Sequence, residues 1–332
     1  MVRMPTPRLV VPTRLLLRAQ VQEGLVSVRQ ARAEGMTDAQ LHRLVRSHRW
    51  LRVARGVYDT REPGILDLDP YDRRRRRAAV LGALAHPGSI VTGVAALVLH
   101  GVQGAPTSVT PEVTMPDRTD RKGSGAVRVR RVTTNGHVEV HGLRSAMVAD
   151  ALVQAVPTVG RRHAVALMDS ARQQRLIDAD GFALAAQLDR RRPGGVRRRG
   201  WWQASRRQAE SPAETWARLT CTDRGVRPDV LQLPVDDASG RQVARVDLAW
   251  LLPDGGALLV EIDGRDVHDR PDAVLRDRDR QNRLAGRRSL VLRFTGREAW
   301  DGTAAARVAA VLEKERWHPQ RPPATFRFRP TG

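Results

Sequence analysis

Five residues in the last third of the chain carry the types and spacing that could do chemistry. Glu214 opens the segment SPAETWARLTC, Asp247 sits inside RVDLAW, and ALLVEIDG ends on Glu261 and Asp263, with His268 a few residues on. Ala257 to Val260 is a continuous apolar run, as expected for a strand covered on both faces. Glu261 and Asp263 are two apart, so on a strand they point to the same side. If the Asp247 strand pairs beside that one, three carboxylates converge. They repel one another unless protonated or bridged by a cation. Hard oxygen donors without cysteine favour Mg²⁺ or Mn²⁺ over zinc. Acids holding such a metal in a basic protein suit phosphodiester cleavage. The bland alternative is a set of solvated acids at strand ends.

The elements that would position these residues follow from local pattern. Ser211-Pro212 starts a helix with Glu214 in its first turn, RVDLAW and ALLVEI read as strands, DRDRQNRLAG as a helix and SLVLRF as a last strand. Cys221 is the only cysteine, which excludes an internal disulfide framework and a Cys-based zinc site. His86, His100, His137 and His141 lack metal-ligand spacing and are expected as ordinary core or surface histidines.

Charge points to a polyanion. The 332 residues hold 57 Lys+Arg against 36 Asp+Glu, a net +21. The excess is concentrated: residues 1–66 and 159–210 are each net +7, whereas 211–332 are net +3. Nucleic acid is the usual partner of such a chain. The five arginines at 73–77 and the stretch RRRPGGVRRR at 190–199 look like breaks in organisation, the second a linker or exposed loop. No apolar run is long enough for a membrane span, and the N-terminus lacks a signal-peptide pattern, so a cytoplasmic, non-membrane protein is expected.

The first sixty residues read as three short helices and a hairpin. Ser27 with Gln30, and Thr37 with Gln40, are capping boxes; Gly24 and Gly35 close the helices before them. Leu41, Leu44 and Val45 form an apolar stripe that leaves His42, Arg43, Arg46 and Arg49 outside it. WLRVARGVY then switches to period two, with a turn at Arg55-Gly56. This is the layout of a winged helix-turn-helix, whose third helix would enter the major groove. Arg43, Arg46 and Arg49 would lie on that helix, and Arg52 and Arg55 on the wing. A winged helix used for protein contact is the alternative.

The middle offers two helices joined at His86-Pro87-Gly88, strands at 126–132 and 137–143, and a helix AMVADALVQAV that Ser145 would cap. The expected organisation is a multidomain α+β and α/β chain. It has a winged helix-turn-helix (1–66), an α+β middle domain (67–158), a basic helical connector (159–210), a mixed sheet flanked by helices (211–318) and a tail (319–332).

Two resemblances add to this. The segment LVSVRQARAEGMTDAQLHRLVRSHRWLRVARGVY is similar to the N-terminal winged helix of AbiEi-type antitoxins. These are transcriptional repressors of type IV toxin–antitoxin, or abortive-infection, modules. The resemblance implies DNA binding and a cognate nucleotidyltransferase-like toxin as partner, with residues 67–158 as the supporting middle domain. The string ESPAETWARL, RVDLAW, LLVEIDGRDVH, DRDRQNRL and SLVLRF resembles the very-short-patch-repair-like endonucleases of the restriction-endonuclease-like, PD-(D/E)xK superfamily. It implies Asp247 and Glu261 as metal ligands, Glu214 as a supporting carboxylate, Asp263 and His268 as family positions, and Asp277 and Arg280 as an Asp-x-x-Arg helix. The superfamily's usual lysine is replaced by Asp263. Either His268 acts as base, or Arg280 supplies positive charge, or the domain is catalytically silent. The expected function is therefore a Mg²⁺-dependent DNA endonuclease targeted by a winged helix. The alternative is a non-catalytic repressor or antitoxin built on a silent nuclease fold, and RNA fits the charge equally well.

Overall fold

The computed structural model describes residues 9–116, 125–237, 239–263 and 289–329. The chain is a mixed α/β protein with three sheets among the described residues, divided into two compact units. One comprises residues 1–159 and 177–196, the other 160–176 and 197–332. The segment 159–210, expected as a connector, thus contributes helices to both.

The first unit begins with α1 (Thr13–Val21), β1 (Leu25–Ser27), α2 (Val28–Ala33), α3 (Asp38–Arg46), β2 (Leu51–Ala54) and β3 (Val57–Asp59). Both capping boxes form as the spacing requires: the Ser27 hydroxyl accepts from Gln30 N at 3.2 Å and the Thr37 hydroxyl from Gln40 N at 3.3 Å. In return, Ser27 N and Thr37 N each donate to the glutamine side chain at 2.8 Å. Leu15, Ala19, Val26, Ala31, Leu41, Leu44 and Trp50 close a small core. The strand β1 pairs antiparallel with β3, completing a three-stranded sheet in the order β1-β3-β2. Its three residues, between a left-handed Gly24 and a helix cap, are too few to show alternation in sequence.

Helix α4 (Pro70–Ala85) corrects the reading of the five arginines as a break. Asp69 caps it, accepting from Tyr71 N at 2.7 Å and Asp72 N at 2.9 Å, and Pro70 occupies the first turn, where a missing N–H costs nothing. After it come β4 (Ile90–Val91), α5 (Gly93–Leu99), β5 (Glu112–Thr114), β6 (Arg128–Val129), β7 (His137–Val140), β8 (Leu143–Ala146) and α6 (Val148–Ala155). The sheet order is β6-β5-β4-β8-β7. A strand therefore separates the two helices expected to join directly at His86-Pro87-Gly88. Ser145 does not cap α6. It lies buried in β8, its hydroxyl 3.3 Å from His100 Nε2, and Met147 takes the cap position without a side-chain bond.

Helices α7 (Arg161–Gln173), α8 (Ala179–Arg190) and α9 (Gly195–Ala204) follow. The supposed linker at 190–199 is only a tight turn between α8 and α9, and its second arginine triplet is helical. A Cβ at Gly195 would stand 2.1 Å from the Asp189 carbonyl oxygen, so the turn needs glycine there.

The second unit is built from α7, α10 (Pro212–Asp223), β9 (Val230–Asp236), β10 (Gln242–Leu251), β11 (Ala257–Asp263), β12 (Ser289–Thr295), α11 (Gly296–Asp301) and α12 (Thr303–Lys314). Strands β9, β10 and β11 form an antiparallel meander, and β12 adds parallel to β11 from Ala257↔Ser289 to Asp263↔Thr295. Both sheet faces are covered. Leu248, Trp250, Leu258, Val260, Ile262 and Phe294 meet α10, α11 and α12 on one side. Leu233, Val235, Val246, Ala249, Ala257 and Leu259 meet Phe328 on the other. The segment expected as a tail is thus part of the core: Phe328 bridges to Val235, and Arg327 clasps the buried Asp236 carboxylate at 2.6 and 2.5 Å.

Candidate functional site

In the first unit, the packed face of α3 (Leu41, Leu44) fixes which residues look outward. His42, Arg43, Arg46 and Arg49 are exposed, as are Arg52 and Arg55 on the β2–β3 hairpin. The hairpin turns at Gly56, whose φ of +71° favours glycine. Arg49 also donates to the Leu9 carbonyl at 2.9 Å, tying the start of the described chain to the end of α3.

The arginines of α4 behave differently. Glu23 is buried and receives Arg73 Nη1 at 3.0 Å and Arg76 Nε at 3.2 Å. Arg77 bonds Asp59 at 2.7 Å and the Glu23 carbonyl at 2.6 Å; Arg75 bonds Asp72 at 2.6 Å and the Pro106 carbonyl at 2.9 Å. Only Arg74 is exposed, lying over the Tyr71 ring. This run is a clamp between α4 and the N-terminal elements, with most of its charge taken up by Glu23, Asp59, Asp72 and backbone carbonyls.

In the second unit, Ser211 caps α10 by accepting from Glu214 N at 3.2 Å. That places Glu214 in the first turn and buries it. Its Oε2 accepts from Glu210 N at 2.9 Å and from Gln232 Nε2 at 2.8 Å. The same Gln232 nitrogen lies 3.4 Å from Asp247 Oδ1, while Asp247 Oδ2 accepts from Ile262 N at 2.8 Å. One amide therefore bridges two carboxylates. Burial, and then the Asp247 charge, push Glu214 up to about 7.

The strand geometry that permits this is unusual. Leu231 and Leu233 are two apart on β9 yet pack on opposite faces, and Val246 and Leu248 do the same on β10. Both strands change face at the Gln232–Asp247 level, where Gln232 takes a left-handed φ of 53°. A non-glycine residue there costs on the order of 1 kcal/mol, and such outliers cluster at functional sites.

Of the residues expected to act together, the structure brings Glu214 and Asp247 into one narrow cleft, lined also by Gln208, Ala209, Arg218, Leu231 and Leu248. Glu261 instead pairs with Arg293, its neighbour on β12, at 2.9 Å, and Asp263 stands exposed at the strand end. His268, Asp277 and Arg280 lie outside the described residues. Among the described residues, no group of three or more His, Cys, Asp or Glu could hold a metal ion. Buried Cys221, its thiol pushed up to about 12 by burial, is no nucleophile.

Gln232, Arg218 and Arg293 are the residues that sequence reasoning missed. Arg218 is four after Glu214, one helical turn on, and Arg293 is a charge in an apolar strand; both were visible signals. Gln232 had none, because its role depends on a broken strand period.

A family model described as a transcriptional regulator, AbiEi antitoxin, matches residues 14–58, which run from α1 through β3. No curated protein matches the chain. Among the described residues, no helix is long and apolar enough to cross a membrane.

Proposed function

We propose that the protein is a DNA-binding transcriptional regulator. Residues 14–58 form a winged helix-turn-helix, with α3 entering the major groove and the β2–β3 hairpin as its wing. The observation that carries this reading is the coincidence of the matched segment with the outward arginines of α3 and the hairpin. Arg46, Arg52 and Arg55 would contact phosphates, and Arg43 and Arg49 flank them. A nucleotidyltransferase-like toxin is the proposed protein partner.

A second reading is favoured by the Glu214–Gln232–Asp247 cluster: the second unit is restriction-endonuclease-like and hydrolyses DNA. Glu214 and Asp247 share the Gln232 amide, and oxygen donors of this kind suit a hard cation, although among the described residues they form no group of three. Mg²⁺ or Mn²⁺ would be held by Asp247 and Glu261, with Glu214 as the supporting carboxylate. A cation there supplies Lewis acidity to a phosphodiester. The chain's own part is to hold Asp247 through Ile262 N, hold Glu214 through Glu210 N, and keep a proton available at Glu214 Oε near neutral pH.

The test is to incubate the full chain with supercoiled plasmid, linear single-stranded DNA and RNA in Mg²⁺, Mn²⁺ or EDTA, beside Asp247→Ala, and to follow duplex binding in parallel. Duplex binding lost on Arg46→Ala/Arg52→Ala supports the regulator. Metal-dependent nicking lost in Asp247→Ala adds the nuclease, whereas binding without cleavage in any metal leaves a repressor on a silent fold. Salt-insensitive binding, or none, overturns both.

A further inference from the structure

The second unit carries a concentration of arginine that neither reading uses. Asp169 on α7 is buried and accepts from Arg218 Nη2 at 2.7 Å, Thr215 Oγ1 at 2.8 Å and Arg206 N at 2.6 Å. Carbonyl groups at the end of α9 take further guanidinium bonds. Arg218 donates to Ala204 O at 2.8 Å, Arg206 to Gln203 O at 2.7 Å and Ser205 O at 2.8 Å, and Arg172 to Ser205 O at 3.1 Å. A helix C-terminus carries about half a negative charge, so it tempers this cluster without neutralising it. Arg207 and Arg227 are close enough to act on Arg172 and Arg206 electrostatically, and both are exposed. Five arginines therefore share one neighbourhood, and of these Arg218 pairs its guanidinium with Asp169.

The cluster continues into the cleft. Residues 206–209 run from the arginines to Gln208 and Ala209, which line it together with Arg218. Arg218 itself is buried, its Nη1 and Nη2 committed to Ala204 O and Asp169. Surplus positive charge and two exposed arginines make an anion site, and guanidinium groups bind phosphate oxygens in bidentate fashion.

We propose that Arg206, Arg207 and Arg227 form a phosphate site that seats a nucleic-acid backbone beside Glu214 and Asp247. Binding of the phosphate stands independently of catalysis; its use in cleavage rests on the nuclease reading. These arginines then supply the positive charge that Asp263 cannot. Burial and neighbouring guanidinium groups already lower the affinity of Arg206 for its proton, and an arriving phosphate would reverse that pressure.

The experiment is fluorescence anisotropy on the full chain in EDTA, with a short single-stranded thymidine oligonucleotide and a longer duplex as probes. Arg207→Ala/Arg227→Ala removes two exposed side chains and leaves the buried network in place. It is expected to weaken oligonucleotide binding about tenfold and to lower the slope of log affinity against log salt by about 1.4, at about 0.7 per phosphate contact on a single strand. Arg46→Ala/Arg52→Ala is expected to weaken duplex binding and leave the oligonucleotide unaffected. Asp247→Ala, which removes an adjacent negative charge, should tighten oligonucleotide binding. Unchanged oligonucleotide affinity and slope in Arg207→Ala/Arg227→Ala overturns the phosphate site, whatever the duplex result. Unchanged duplex affinity in Arg46→Ala/Arg52→Ala overturns the N-terminal reading instead.

Discussion

Glu23 in the first unit and Glu214 in the second are both buried acids, and their surroundings treat them in opposite ways. Glu23 faces Arg73 and Arg76, so its charge is matched inside the protein. Glu214 receives a backbone N–H, an amide and a Ser211 side-chain bond but no cation among these partners, beside a second carboxylate. Matched charge makes a structural clamp, because either partner alone would be stranded in low dielectric. Unmatched charge makes a site that takes up a proton, a metal ion or a ligand. The arginines follow the same division. Those of α4 are mostly spent on internal carboxylates and carbonyls, whereas those of α3 and the hairpin remain exposed.

The largest effect should come from stranding the clamp. Glu23→Gln leaves Arg76, itself 4% exposed, without its counter-charge. It is expected to cost about 3–5 kcal/mol in denaturant unfolding. A cost below about 1 kcal/mol would show that the clamp is not electrostatic.

The equivalent change at the other acid should run the other way. Glu214 holds its proton up to about 7, above its ordinary 4.5, so the folded chain binds that proton more tightly than the unfolded chain does. The stability linked to it is complete below about 4.5 and is lost as pH rises through about 7. Glu214→Gln should therefore flatten the stability–pH curve over that window and stabilise the protein well above pH 7, on the order of 2–3 kcal/mol. Asp247→Asn should recover part of this, because Asp247 is the second cause of the shift, after burial. A wild-type curve that rises through the window would contradict the assignment.

Smaller effects separate the arginines. Arg46→Ala/Arg52→Ala should leave the melting temperature unchanged but lower duplex affinity, with a salt slope reduced by about 1.8 if each arginine meets one phosphate. Arg74→Ala should change stability by no more than about 0.5 kcal/mol, since Arg74 alone of the α4 run is exposed. A large loss there would blur the distinction between the two sets.

How much was legible depended on the range of the interaction. The capping boxes of α2 and α3 were readable because each links residues three apart. The strand carrying ALLVEI was readable because a sheet covered on both faces demands a continuous apolar run. The α4 arginines were misread because their partners, Glu23 and Asp59, lie as far as 54 residues away along the chain. Ser145 was misread because a serine before an apolar helix looks like a cap whether the backbone there is a helix start or a strand. The convergence of Asp247 with Glu261 was expected if their strands paired, and β10 does lie beside β11, with Leu248 opposite Val260. What spacing could not show is the broken alternation at Gln232 and Asp247 and the Arg293 partner of Glu261.

By itself the sequence determined the local elements, the apolar strands of the second unit and the surplus of positive charge, because these depend on residue type and near neighbours. The tertiary structure alone decided which charges are cancelled and which are left to act. A charge is stabilised or stranded by what lies within a few ångströms through space and by how much water is excluded around it. Neither quantity is written in the spacing of residues along the chain.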